Sequence, residues 1–251
     1  MDKNYYLQYY DYERNHWWFK ARNKILINLI KKYYIQKNPR ILNIGVATGH
    51  SSELLGSIGE VVSVENDTET YNFIKNSLKL NAVQGSILNL PFDNESFDIV
   101  CAFDVIEHVK EDKIAVNEMI RVCSKNGLIA LSVPAFQSLW SEHDEINHHI
   151  KRYRIREVKQ LFKGCSSNIL YSGYFNFFLF FPIAIIRLIN RIFIKRKDGK
   201  IKTVMKSDFE KFNNNFINKI LYSVFYFENL FIRLKFRFFA GVSIVCILNK
   251  K

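Results

Sequence analysis

The stretch ILNIGVATGHSSELL, Ile41–Leu55, decides the fold. Its apolar start reads as a buried strand, Arg40–Ile44. Gly45 and Gly49 then permit a tight turn in which backbone can approach a ligand. A short helix runs on through Leu54–Leu55. A second apolar strand, Val61–Glu65, ends in an acid 20 positions after Gly45. In a doubly wound sheet an acid at that place accepts hydrogen bonds from a ribose diol. The two features together point to a nucleoside-containing cofactor.

Outward from this unit, Thr68–Leu80 has helical spacing, Phe97–Phe103 reads as a strand, Lys110–Val122 as a helix and Gly127–Val133 as a strand. Such alternation predicts an α/β, Rossmann-like doubly wound sheet. Before it, Tyr5–Ile35 reads as helix, stopped by Pro39. After Pro134 come a polar segment, Ala135–Tyr153, a short helix, Ile155–Phe162, and a strand, Asn168–Phe175. A basic, aromatic segment precedes a last buried strand, Val242–Leu248. The division expected is a helical cap over 1–39, a core over 40–175 and 240–251, and an insertion over 176–239. No internal repeats are visible.

Composition agrees with a globular chain: 251 residues, 48% hydrophobic and 24% charged, with 22 Phe and a net charge of +12. Residues 1–150 hold 15 Lys and Arg against 19 Asp and Glu; residues 151–251 hold 21 against 5, and 16 of the Phe. This asymmetry suggests an anionic partner. Cys101, Cys123, Cys165 and Cys246 form no paired spacing and read as buried thiols of a reducing compartment. The N-terminus has no apolar core of signal-peptide type. The longest apolar run, Phe177–Ile186, is far short of the ~20 residues of a spanning helix. The expected location is the cytoplasm, with the insertion either a helical lid packed on the core or a patch at the inner face of the membrane.

The loop around Gly45 lacks the close glycine pair of a pyrophosphate site, which favours S-adenosylmethionine over NAD. LPFDNESFDIVCAFDVIEHV, Leu90–Val109, resembles the fourth-strand signature of class I S-adenosylmethionine-dependent methyltransferases. KNGLIALSVP, Lys125–Pro134, resembles their fifth strand, and GVSIVCILNK their antiparallel last strand. HWWFKAR at His16–Arg22 and PAFQSLWSEHDEINHHIKRY at Pro134–Tyr153 resemble a narrower bacterial group. The resemblance implies seven strands, S-adenosylmethionine as cofactor and S-adenosylhomocysteine as product. Proteins of that group methylate glycan, lipid or natural-product acceptors; the reaction expected here is O-methylation of a small-molecule, glycan, lipid-linked or natural-product acceptor. Three positions depart from the family: Asn43 for an Asp, Val46-Ala47 for Cys-Gly, and Ser86 for an Asp.

Within that reading Gly45, Val46, Ala47 and Gly49 lie under the methionine part, Glu65 takes the ribose, and Asn66, Ser86 and Ile87 flank the adenine. Phe103 closes over the cofactor, and Arg22 reaches its carboxylate or packs as part of a structural helix. The candidate bases are His149, His108 and His143, in that order; His108 has the competing role of orienting its loop. His148 and His149 beside Lys151, Arg152 and Arg154 could instead clamp an anion. Asp104, Glu107 and His108 would share one helical face and could hold a divalent metal, although Asp104 can equally cap a helix. No metal ligand is assigned on that spacing alone. Two rivals remain, a noncatalytic scaffold that kept the nucleoside pocket and an RNA-directed methyltransferase. Aromatic-apolar runs as dense as those of the insertion suit lipid or core better than a nucleic-acid groove.

Overall fold

The computed structural model describes residues 3–195 and 215–251, with side chains over 9–189 and 216–251. Its centre is a seven-stranded sheet in the order β3-β2-β1-β4-β5-β7-β6. The strands are β1 (Arg40–Ile44), β2 (Glu60–Glu65), β3 (Ala82–Gln84), β4 (Phe97–Phe103), β5 (Cys123–Pro134), β6 (Ser167–Phe175) and β7 (Ser243–Lys250). The pairs among β1 to β5 are parallel. β7 runs antiparallel to both β5 and β6. Ile41, Leu42, Val100, Ile129, Leu131 and Ile247 are all at most 1% exposed, the mark of a sheet covered on both faces.

Six of the strands lie where the sequence places them. β3 was not located there, because three residues are too few to show an alternation. The helix read over Thr68–Leu80 is shorter, Thr68–Asn76. The N-terminal helix is two helices, α1 (Lys3–Asn15) and α2 (Trp17–Tyr33). The break falls at His16, whose extended backbone and Nδ1 cap α2 by accepting the Trp18 N–H at 3.3 Å. Burial lowers the His16 pKa to about 4, so the ring is neutral and able to accept.

α1 sits on the glycine turn. Thr48 Oγ1 donates to Glu13, and Arg14 pairs with Glu53 at 2.7 Å, in the helix α3 (His50–Leu55) that follows the turn. The insertion supplies α8 (Phe180–Lys195) and α9 (Asn215–Arg233); the short helices before them are α4 (Thr68–Asn76), α5 (Asp112–Val122), α6 (Glu142–Ile146) and α7 (Ile155–Leu161). One face of α9 packs on the core. Phe225 is fully buried between Trp17, at 6.1 Å between ring centroids, and Phe175, at 5.9 Å. Among the described residues no helix is long and apolar enough to cross a membrane. Cys101, Cys123 and Cys246 are buried free thiols; Cys165 is only half-buried, a correction to its reading.

Candidate active site

The site lies at the carboxyl edge of β1, β2 and β4. Gly45, Ala47 and Gly49 all have positive φ, at 65°, 46° and 81°. A Cβ on Gly45 would meet Val105 Cγ2 at 2.6 Å, so glycine is required there twice over. Ala47 takes the same left-handed backbone with a Cβ. Val46 is 1% exposed and packs with Ile74 and Ala82, so its side chain belongs to the core and only its backbone can face a ligand.

Asn43 is 1% exposed and donates from Nδ2 to Ser51 Oγ at 2.8 Å and Ser52 Oγ at 2.9 Å. The amide therefore holds the start of α3. Glu65 closes the turn from the other side. Its Oε2 accepts Ala47 N–H at 3.2 Å, and its Oε1 accepts Asn66 N–H at 2.9 Å and Asp67 N–H at 3.1 Å. Burial raises its pKa against the opposing pull of these amides. A carboxylate has about four acceptor positions, so one on Oε2 stays open. Asn66 is exposed, Ser86 is half-buried, and Ile87 and Phe103 are 7% and 8% exposed.

Arg22 is 5% exposed and reaches Asp104 Oδ2 at 2.5 Å, with Ser132 Oγ on the same nitrogen at 3.5 Å. Its guanidinium carbon stands 5.5 Å from the Phe103 ring centroid. The structure thus gives Arg22 a partner on this chain, which accords with the structural one of its two readings. Asp104 itself has φ +56° and turns toward Arg22. The turn that follows, Ile106–His108, is a single 3₁₀ turn. Asp104, Glu107 and His108 therefore do not share a helical face, which corrects that expectation.

The groups brought together are Glu107, His108 and His149, whose ligating atoms all lie within 4.8 Å of one another. The His108 and His149 rings are 4.8 Å apart, and His143 stands further off, at 6.1 Å from His149. His149 Nδ1 is 2.8 Å from Asp144 Oδ1, which also accepts Arg152 Nε at 2.7 Å. Burial pushes the Asp144 carboxyl up, but the bonds from His149 and Arg152 outweigh it and hold it well below the usual carboxylate range. Burial and the neighbouring His149 lower the His108 pKa.

The anion clamp does not form. Arg152 is spent on Asp144 and on Ala135 O at 3.2 Å, and Lys151 pairs with Asp112 at 2.5 Å. The sequence reading missed Asp144 as the organiser of this corner. Its signal was the spacing of Asp144, His149 and Arg152 within one polar block. A cleft of about 610 Å³ lined by Arg40, Pro91 and Arg121 opens at the amino edge of β1 and β4, away from all these groups.

Residues 42–131 match the family model described as a methyltransferase domain. Over those residues the chain carries a methyltransferase domain. A Mycobacterium tuberculosis protein named probable S-adenosylmethionine-dependent methyltransferase is 24% identical over 126 residues, 49% of this chain and 45% of that protein. The ubiquinone/menaquinone biosynthesis C-methyltransferase of Erwinia tasmaniensis is 28% identical over 138 residues, 49% of this chain and 55% of that one. The chain spans about half the length of these curated relatives. A solved methyltransferase of Haloferax volcanii, in complex with its activator, has the same fold: TM-score 0.61, 13% identity, 98% of this chain and 94% of that one covered. Two observations of this domain fit S-adenosylmethionine. The turn residues Gly45–Gly49 carry no charged side chain of their own, and Glu65 keeps an acceptor position for a hydroxyl.

Proposed function

We propose that the chain transfers a methyl group to an oxygen of its acceptor, with S-adenosylmethionine as donor. The observation that carries this is the Asp144–His149 pair beside the end of β4. The cofactor supplies a methyl group made electrophilic by a positively charged sulfur. The glycine turn underlies its methionine part, Glu65 takes a ribose hydroxyl, Asn66, Ser86 and Ile87 flank its base, and Phe103 covers it. Asp144 fixes the Nδ1 proton of His149, which leaves Nε2 to accept the acceptor's proton. The oxygen pair so freed forms the new bond to carbon, and the pair of the broken carbon–sulfur bond stays on sulfur.

Calorimetry tests the first half: S-adenosylhomocysteine should bind and NAD should not. A labelled methyl donor incubated with lipid, glycan and peptide extracts identifies the acceptor. His149→Ala should then lower turnover and leave cofactor affinity unchanged. Full activity of that variant across pH 6–9 would remove His149 from the base role. Binding without turnover on any extract would leave a scaffold, and a methylated carbon would match the reaction named for the Erwinia relative.

The acceptor we favour is lipid-linked, presented at an anionic membrane surface. Fourteen of the eighteen exposed large hydrophobics among the described residues lie within 178–239. Four of these are linked by ring contacts: Phe178 meets Phe227 at 6.0 Å, and the half-buried Phe177 joins Phe181 at 5.8 Å to Phe239 at 5.1 Å. Over 176–239 there are 13 Lys and Arg against 4 Asp and Glu. Exposed apolar side chains in a segment of net positive charge match the interface of an anionic bilayer.

A further inference from the structure

Glu107 is completely buried, and neither of its carboxylate oxygens has a hydrogen-bond partner among the described residues. A buried carboxyl without a partner is costly in either protonation state, since the ion lacks compensation and the acid lacks an acceptor for its proton. The surroundings supply what is missing. His108 and His149 each bring a ligating atom to within 4.8 Å of the Glu107 carboxylate.

The ring tautomers are set by the neighbours. His108 Nδ1 stands 3.3 Å from the carbonyl oxygen of His148, which can only accept, so Nδ1 carries the proton. His149 Nδ1 stands 2.8 Å from Asp144 Oδ1, in a carboxylate held ionised by the Arg152 guanidinium at 2.7 Å, so Nδ1 again carries the proton. Both Nε2 atoms are left with their lone pairs. A backbone carbonyl behind one imidazole and a carboxylate behind the other is the support that ligating histidines use to fix their orientation.

From this geometry we propose that Glu107, His108 and His149 hold a divalent first-row transition cation, with at least one coordination position open. Two imidazole nitrogens and one carboxylate oxygen suit zinc or manganese better than calcium. Ligand atoms at about 2.1 Å from one ion lie about 3.4 Å apart in a tetrahedral arrangement, so closure by up to about 1.4 Å completes the site. The inference rests on the methyl-transfer reading. The open position would take the acceptor oxygen and lower its pKa, with the released proton passing to solvent. His149 then serves as a ligand, and the cation replaces it in activating the acceptor.

The full chain, dialysed against a chelator, should bind one Zn²⁺ or Mn²⁺ per chain by calorimetry, with Mn²⁺ also followed by electron paramagnetic resonance. Glu107→Gln and His149→Ala should each weaken binding at least about 10-fold. Both should retain S-adenosylhomocysteine affinity, which shows that they are folded. Wild-type chain that takes up no stoichiometric cation overturns the proposal, and so does undiminished binding in both variants. Should a variant fail to fold, the wild-type Co²⁺ spectrum decides: weak octahedral absorption identical to aqueous Co²⁺ overturns the site, and stronger absorption with nitrogen ligation supports it. Loss of S-adenosylhomocysteine binding in wild-type chain would instead sink the methyl-transfer reading. Cofactor binding without metal binding sinks this inference alone.

Discussion

Glu65 works as a residue because its neighbours commit it. Three backbone amides fix its carboxylate at the end of β2 and leave one acceptor position on Oε2. A ribose hydroxyl donating there makes a charge-assisted bond. Glu65→Ala should therefore weaken S-adenosylhomocysteine binding by about 1.5–3 kcal/mol, read by calorimetry on a folded variant. An unchanged affinity would remove Glu65 from the site. That this acid ends a strand was legible from sequence, since apolar run and acid stand side by side. What it is bonded to was not, because the amides of Ala47, Asn66 and Asp67 carry no side-chain signal. Asn43 shows the same limit. As a departure from a family pattern it reads as a lost contact, whereas folded it donates to two serines of α3. Asp104 was placed with Glu107 and His108 by counting residues, and a positive φ turns it to Arg22 instead.

At the scale of elements, periodicity located the long strands and failed where short-range geometry decides. His16 is a helix cap rather than a helix residue, and no period of 3.6 marks a single extended residue. The inner face of α9 was legible only as apolar, and its one buried acid went unnoticed. Glu228 is fully buried; Oε1 accepts Phe178 N–H at 3.0 Å, and Oε2 has no partner among the described residues. Burial raises its pKa to about 7. The folded state therefore binds a proton more tightly than the unfolded chain, whose Glu titrates near 4.3. The stability tied to this proton is fully present below about pH 4.3 and is lost as pH rises to about 7. Glu228→Gln keeps the acceptor for Phe178 and removes the titration. Chemical denaturation at intervals from pH 4 to 8 should show the variant gaining on wild type by up to about 3 kcal/mol across that window, and no further above it. A constant difference at all pH values would show that Glu228 does not titrate there.

For the molecule as a whole, charge asymmetry was the feature sequence revealed and no single element explains. The acidic part became the five parallel strands and most of the site; the basic, Phe-rich part became α7, the antiparallel edge β6 and β7, and the helices α8 and α9, of which α9 is anchored inward by Phe225 and Ile232. The outward side of the pair leaves Phe181, Ile185, Leu230, Leu234 and Phe239 between 50% and 75% exposed. Arg187 donates to Leu139 O and is part-buried, so it is a poor probe of surface charge. The side chains of Arg191, Lys195, Arg196 and Lys197 lie outside the described residues. Lys219, Arg233, Lys235 and Arg237 are exposed and lie in the same stretch of chain, 216–239. If this side docks on a bilayer, the protein should sediment with anionic vesicles and much less with neutral ones. Each basic residue near the surface contributes ~1 kcal/mol, so replacing these four by Gln should lower the bound fraction severely without altering the sheet. At 1 M salt the Debye length falls to about 3 Å, and most of the protein should be released. Leu234→Ser with Phe239→Ser should weaken binding that salt does not reach, since apolar insertion is not screened. Protein that stays in the supernatant with anionic vesicles at low salt ends the membrane reading. A concentration-dependent dimer in that experiment would assign the same apolar side to a second copy of the chain.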